Sequence, residues 1–287
     1  MQYDASSLGG QYGGNGQQNL YGFELWNKVV SGFEQGNLKY GWKKNQFMPT
    51  QFLYSLYNTS IDSRYDATFK SEFYATQADA SIGLKEGDLR LYFPKYDQPF
   101  TQQDSLKLMA LHPNAIIVTK DKWKQDIEQM GGSGMCPMIW KFYDPNSSLP
   151  TNDTGYTSTK DIFLFRLADT YLLAAEAYYK AGDSQKAAER INKVRERAAL
   201  IGHVKDMDIK VSDVNIDFIL DERAREMAGE YNRWMDLKRT GKLIERTLKH
   251  NKLAAKINKM DEHILVRPIP QSVIDQTTGD FNQNTGY

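Results

Sequence analysis

The chain has 287 residues, enough for one large domain or two small ones and for burying about three quarters of its unfolded surface. Its 36 basic and 36 acidic residues cancel, so it lacks the basic face that phosphate contacts demand, and nucleic acid is excluded as a partner. A single cysteine, Cys136, excludes an internal disulfide and a thiolate metal cluster, and the four histidines lack the HExxH spacing, so neither metal nor cofactor is expected.

No apolar run approaches the roughly 20 residues needed to span a bilayer, and no basic segment followed by an apolar one opens the chain. Met1 runs at once into QYDASSLGGQYGGNGQQ, which reads as the interior of a longer protein. The 17 Tyr, 5 Trp and 13 Phe suit a surface that touches something amphipathic, or an aromatic core.

Residues 4 to 20, rich in Gly, Gln, Asn and Ser around Tyr12, read as an exposed loop. From Tyr21 to Trp42 aromatics alternate with glycine without a sustained period. Pro49 and Thr50 open QFLYSLYN, a short helix expected to turn Phe52, Leu53 and Leu56 inward. DSRYDATFKSEFYAT reads as a turn and an extended segment, and HPNAIIVTK and MIWKFYD as short strands. GGSG at 131 to 134 is a loop rather than a phosphate cradle, since no GKS or GKT follows; Gly241-Lys242 is followed by Leu243 and fails the same test.

The second half is helical. DIFLFRLADTYLLAAEAYYKA, the turn Gly182-Asp183, and SQKAAERINKVRERAAL form a helix pair at about residues 161–199, in which Ala175, Tyr178, Gly182, Ala187 and Ile191 match the packing positions of a tetratricopeptide repeat. Only one such repeat is legible; near Gly87-Asp88, Tyr92 stands where a small residue belongs. One repeat does not bury its own stacking face, so another element must cover it.

ILDERAREMAGEYNRWMDLKRTGKL, residues 219 to 243, reads as one helix capped by Ser212 or Asp213 and stopped at Gly241, with Leu220, Ala224, Met227, Tyr231 and Trp234 as its buried stripe. Trp234 and Trp140 are both assigned to the core. Glu222, Glu226 and Glu230 with Arg223, Arg225 and Arg233 are read as a solvated or interhelical ion-pair ladder in preference to a catalytic carboxylate cluster. KLIERTLKHNKLAAKINK makes a further helix, and in HILVRPIPQSVIDQ two prolines lead to a last turn capped by Ser272.

RLADTYLLAAEAYYKAGDSQKAAERINKVRERA, ILDERAREMAGEYNRWMDLKRTGKL, LVRPIPQSVID and the closing QNTGY, in this order, resemble the C-terminal region of the SusD/RagB family of bacterial outer-membrane nutrient-binding lipoproteins, as do DSRYDATF and GGNGQQNLYGF. A signal peptide, a lipid-attachment cysteine and the N-terminal repeat helices of that family are not found in the sequence. The resemblance implies a mainly α fold, tetratricopeptide-like helix pairs with long irregular loops and a few short strands, and a division of labour between a loop-rich, ligand-binding part (1–150) and a helical scaffold (151–287). It implies no catalysis, surface exposure at the outer membrane through a lipid anchor, capture of glycans or in some members peptides, and a SusC-like TonB-dependent transporter as partner.

Sugars stack their C–H faces on Trp or Tyr while polar side chains satisfy the hydroxyl rim. Tyr12, Trp26, Tyr40 and Trp42 are the expected glycan-stacking residues, with loop or core packing as the alternative for each. Two other classes compete: a peptide-binding tetratricopeptide module, and a glycoside hydrolase using Asp62 and Asp66 or Glu222 and Glu226.

Overall fold

The structure, a computed structural model, describes residues 20–23, 25, 30–34, 39–40, 47–123, 135–145, 158, 160–230, 232–257 and 260–287. Two compact units divide between Glu230 and Tyr231. Among the described residues the fold is mainly helical, with short strands and long connections, and no helix is long and apolar enough to cross a membrane.

In the first unit Thr50 leads into α1 (Gln51–Ser55) and Asp62 into α2 (Arg64–Thr68), which passes directly to β1 (Phe69–Lys70). The inward side chains of the α1 region are Tyr54 and Tyr57, while Phe52, Leu53 and Leu56 stay partly exposed. Helical spacing alone favoured Phe52, Leu53 and Leu56, but the tyrosine rings pack with Tyr65 and Phe69, and each hydroxyl finds a backbone acceptor: Tyr54 donates to Pro137 O at 2.6 Å and Tyr57 to Arg225 O at 2.9 Å.

β2 (Glu72–Tyr74) pairs antiparallel with β3 (Leu89–Tyr92); α3 (Gln102–Leu111), closed by a Thr101/Asp104 capping box, then leads to β4 (Ile116–Ile117), parallel to β3. β5 (Met138–Ile139) pairs antiparallel with β1, Phe69 opposite Ile139 and Lys70 opposite Met138. Part of the aromatic content is thereby core: Phe23, Phe33, Tyr40, Phe73 and Phe93 form one buried group.

The predicted helix pair is α4 (Leu167–Lys180) and α5 (Ser184–Arg197). Gly182 takes φ +82° at the turn, its amide and that of Asp183 close on Tyr179 and Tyr178 carbonyls, and the Asp183 side chain caps α5 through the Lys186 amide. Leu172, Ala175, Ala187, Ile191 and Val194 are buried between the helices, with Tyr178 packed at their edge. α6 (Ile216–Glu226) covers one side of the pair with Ile219 and Phe218. Its cap is Asn215, whose side chain accepts from the Phe218 amide at 2.9 Å; the expected Ser212 and Asp213 belong to a preceding single turn. Ahead of α4 Ile162, Phe163, Leu164 and Phe165 remain exposed, as does its first residue, Leu167.

The long helix expected over 219–243 is two helices. α6 ends at Glu226 and α7 runs Arg233–Arg239, because Gly229 lies between them at φ +76°, a conformation no helix contains. This break rephases the stripe. Within the second unit Leu237 is buried, whereas Trp234 is 37 % exposed with the Arg267 guanidinium 5.7 Å from its ring, so Trp234 is not a core residue.

α8 (Leu243–His250) and α9 (Lys252–Ile257) replace the single helix expected there, split where Asn251 turns extended and caps α9 through the Leu253 and Ala254 amides. The last helix, α10 (Gln271–Gln276), starts after Pro270 with Ser272 inside it. The QNTGY ending folds back on the proline segment: Gln283 bonds both the N–H and the C=O of Ile269 (2.7 and 2.8 Å), Asn284 donates to Arg267 O at 2.6 Å and Tyr287 to Val266 O at 3.1 Å.

Candidate functional site

β5 leaves the β1 pairing through a Trp140 amide bond to Thr68 O at 2.7 Å and turns at once, the Tyr143 amide closing on Trp140 O at 2.8 Å. A turn of this kind brings its first and fourth residues side by side. Here they are Trp140 and Tyr143, both half-buried, their rings 4.3 Å apart and 21° from parallel. The rings stack face to face, and only the outer side of this pair forms an aromatic platform. Trp140 is therefore not the core residue that the sequence suggested.

The two middle residues of the WKFY turn point into the scaffold and hold it. Phe142 is buried against Tyr21 at 5.7 Å, and Tyr21 donates to Gly229 O at 2.7 Å. Gly229 has to be glycine twice over, for its positive φ and because a Cβ would stand 2.6 Å from the Phe142 ring. Lys141 donates to Glu226 O at 2.9 Å and pairs with the Glu230 carboxylate.

That carboxylate belongs to a buried charge network in the first unit. Glu222, 0 % exposed, is held by Arg64 (2.7 Å), Arg195 (2.8 Å) and Arg225 (2.6 Å). Glu226 receives Arg64 (3.1 Å), Arg166 and Arg197 (2.7 Å each), and Arg166 also reaches Glu230 at 2.7 Å. Arg223 pairs with Asp169 of α4 at 2.6 Å. The expected ladder is thus interhelical and buried rather than solvated. Such pairs add little net stability over apolar packing but penalise wrong packing severely, so they fix how α2, α4, α5 and α6 meet.

The same geometry removes the carboxylate pairs from catalysis. Burial opposes the charge on Glu222, yet Arg225, Arg64 and Arg195 outweigh it and hold the carboxyl well below the usual range; Arg64, Arg166 and Arg197 lower the Glu226 carboxyl against its own burial. A general acid needs the opposite shift. Asp62 is bound to Arg64 at 2.7 Å and the exposed Asp66 to Lys95 at 2.7 Å. The described residues contain no group of His, Cys, Asp and Glu side chains able to hold a metal ion.

Around the platform stand Tyr40, Tyr74, Lys39 and Lys70. Tyr40 is 1 % exposed, edge-on to Trp140 at 6.0 Å; its hydroxyl accepts from the Tyr74 amide at 2.6 Å and donates to Tyr74 O at 3.1 Å. Burial raises its pKa. Lys70 extends from β1 with its ammonium 5.3 Å from the Trp140 ring and 5.8 Å from Tyr40, and the Lys39 ammonium is 5.5 Å from Tyr40 and 5.3 Å from Tyr74. Of the four residues expected to stack on a glycan, Tyr40 sits beneath this platform, and Tyr12, Trp26 and Trp42 lie outside the described residues. The Trp140–Tyr143 pair was missed, although the spacing of Trp and Tyr across a four-residue turn was its legible signal.

A tetratricopeptide-like helix pair, tied through ion pairs to a turn that carries two stacked rings, defines the class of this mainly helical fold. The chain belongs to the SusD family (SusD_RagB), which it matches over residues 2–287. It is 29 % identical over 193 residues to the SusD-like protein P38 of Formosa agariphila, covering 66 % of this chain and 31 % of that one. With the starch-binding protein SusD of Bacteroides thetaiotaomicron it shares 31 % over 156 residues, 54 % of this chain and 26 % of the relative. Two solved structures share the fold: a laminarin-binding SusD-like protein (TM-score 0.52, 23 % identity, 96 % of this chain and 45 % of that one) and the surface glycan-binding protein A of Bacteroides thetaiotaomicron in complex with laminarihexaose (TM-score 0.51, 21 %, 95 % and 47 %). The chain thus spans less than a third of these two curated relatives and under half of the solved ones.

Proposed function

We propose that this chain binds glycans without transforming them, at the bacterial outer-membrane surface, and serves delivery to a SusC-like TonB-dependent transporter. The observation that carries the reading is the Trp140–Tyr143 platform, two part-exposed rings stacked on each other and held in place by the two inner residues of the turn. A stacked sugar ring gains on the order of 1 kcal/mol beyond area burial, so a platform of this size supports micromolar to millimolar capture, weak enough to release the ligand onward. The names of the relatives, which bind starch, laminarin and laminarihexaose, support the same class of ligand.

In this reading Tyr40 supports Trp140 from below, while Tyr12, Trp26 and Trp42 stay candidates for further stacking. Calorimetric titration with a panel of oligosaccharides including laminarihexaose tests it. Trp140→Ala and Tyr143→Ala are each expected to weaken binding about tenfold, the equivalent of about 1.4 kcal/mol. Unchanged affinity in both correctly folded variants removes the platform from the site. Chromatography of the recovered sugars completes the test, because any cleaved product overturns the non-catalytic assignment.

A further inference from the structure

One face of the helix pair is left uncovered among the described residues. Arg166, just ahead of α4, is fixed from the inside: its guanidinium reaches Glu226 and Glu230 at 2.7 Å, and its carbonyl accepts from the Asp169 and Thr170 amides that open the helix. With Arg166 drawn inward, the apolar residues around it are held outward. Leu164 is 79 % exposed and Phe165 83 %, and Ile162, Phe163, Leu167 and Leu173 are exposed as well. Along α4 the outward positions are Leu167, Thr170, Leu173 and Ala177, a spacing that sets them on one side of the helix. That side carries no charge before Lys180, which is paired with Glu176 at 2.8 Å. α5 and α6 pack on the other sides of α4.

At about 200 Å² for a fully exposed large apolar side chain, Ile162, Phe163, Leu164, Phe165, Leu167 and Leu173 together present roughly 700 Å² to solvent. A monomer rarely shows a contiguous apolar patch above about 600 Å², and a stable pairwise interface buries about 800 Å² on each partner. The area therefore matches one half of a protein–protein interface. Shape selects the occupant. The face is bulky at one end, at Phe163, Leu164, Phe165 and Leu167, and small at the other, where Ala177, Ala181 and Gly182 close the helix. Leu173 lies midway along α4. A two-fold axis through Leu173 sets two copies of α4 antiparallel, so that the bulky end of each meets the small end of the other and the contact closes on itself.

We infer that this protein forms a symmetric dimer through the exposed side of α4 and the apolar segment 162–165 ahead of it, a second copy of the chain covering the stacking face that a single helix pair leaves open. Neither Trp140 nor Tyr143 belongs to this face, so dimerisation and glycan binding are separable.

Sedimentation velocity of the full chain between about 1 and 100 µM is the test. The sedimentation coefficient is expected to rise with concentration from that of a 32.9 kDa monomer to that of a dimer. Leu173→Glu, which sets two carboxylates against each other across the axis, and Phe165→Glu are each expected to weaken association about tenfold or more, with far-UV circular dichroism unchanged because both positions are exposed. Leu106→Glu, at an equally exposed position in α3, is expected to leave it unchanged. Association that survives both substitutions on the face, that Leu106→Glu abolishes equally, or that grows beyond the dimer overturns the inference. A monomer at every concentration overturns it too, and flotation of that monomer with phosphatidylcholine vesicles would name a lipid surface as the occupant instead.

Discussion

The Lys141 ammonium donates to Glu226 O at 2.9 Å and pairs with Glu230, which ties the WKFY turn to the end of α6 and the residues just after it. A residue between two platform rings is thus anchored in the scaffold. Lys141→Met leaves Glu230 with Arg166 alone, and the expected cost is about 2 to 4 kcal/mol, below the full value for a buried pair because Lys141 is partly exposed. Urea denaturation of Lys141→Met, Glu230→Gln and the double variant measures the coupling, expected at about 1 to 3 kcal/mol. Additive single effects would mean that the two side chains act independently.

Acid stability follows from the buried glutamates. Their carboxyls are held below the ordinary value of 4.5 in the folded state, so the stabilisation is fully present above that pH and disappears as the pH falls through the folded-state values. Glu222→Gln is expected to cost about 3 to 5 kcal/mol at pH 7, and the gap to wild type is expected to narrow steadily below about pH 4.5. Denaturation midpoints across that range check this; a constant gap would show that the Glu222 charge plays no part in the pH dependence.

Gly229→Ala combines a left-handed backbone with a collision against the Phe142 ring. The expected penalty is about 1 to 2 kcal/mol for the backbone and about as much again for the displaced ring. Gly241→Ala, at φ +71° with open space around it, is expected to show the first part only. Equal losses of stability would place the whole cost in the backbone.

Trp234→Ala is expected to cost about 1 kcal/mol, because the indole is part-exposed under Arg267, while Leu237→Ala, three residues on and buried, is expected to cost about 2 to 5 kcal/mol. Thermal melts of the two variants decide between this stripe and the one that unbroken helical periodicity dictates. The reverse order would restore Trp234 to the core.

Local chemistry made the helix pair readable. Ala175, Ala187 and Ile191 report close helix approach through their size, and Gly182-Asp183 reports its turn through backbone freedom and capping, all within a span of about 25 residues. The four ordered motifs likewise identified the family, and the fold-back of QNTGY on the proline segment supplies a contact that requires two of them together. By contrast, Glu222 and its neighbours looked like a solvated face because charge along a helix does not state what packs on it; Arg64 and Arg166, 158 and 60 residues away from their partners Glu222 and Glu226, made that face interior.

The candidate site divides in the same way. Sequence alone determined that the helices form a tetratricopeptide-like pair and to which family the chain belongs. Tertiary structure decided which rings are walls and which are surface. Tyr40 and Trp140 are equally aromatic as letters, but Tyr40 is enclosed by Phe33, Phe73 and its bonds to Tyr74, whereas Trp140 leaves the β5 strand at a turn whose inner residues are drawn inward by Glu230 and Gly229. Exposure is a property of what the rest of the chain brings alongside a residue, and only the long-range contacts carry that information.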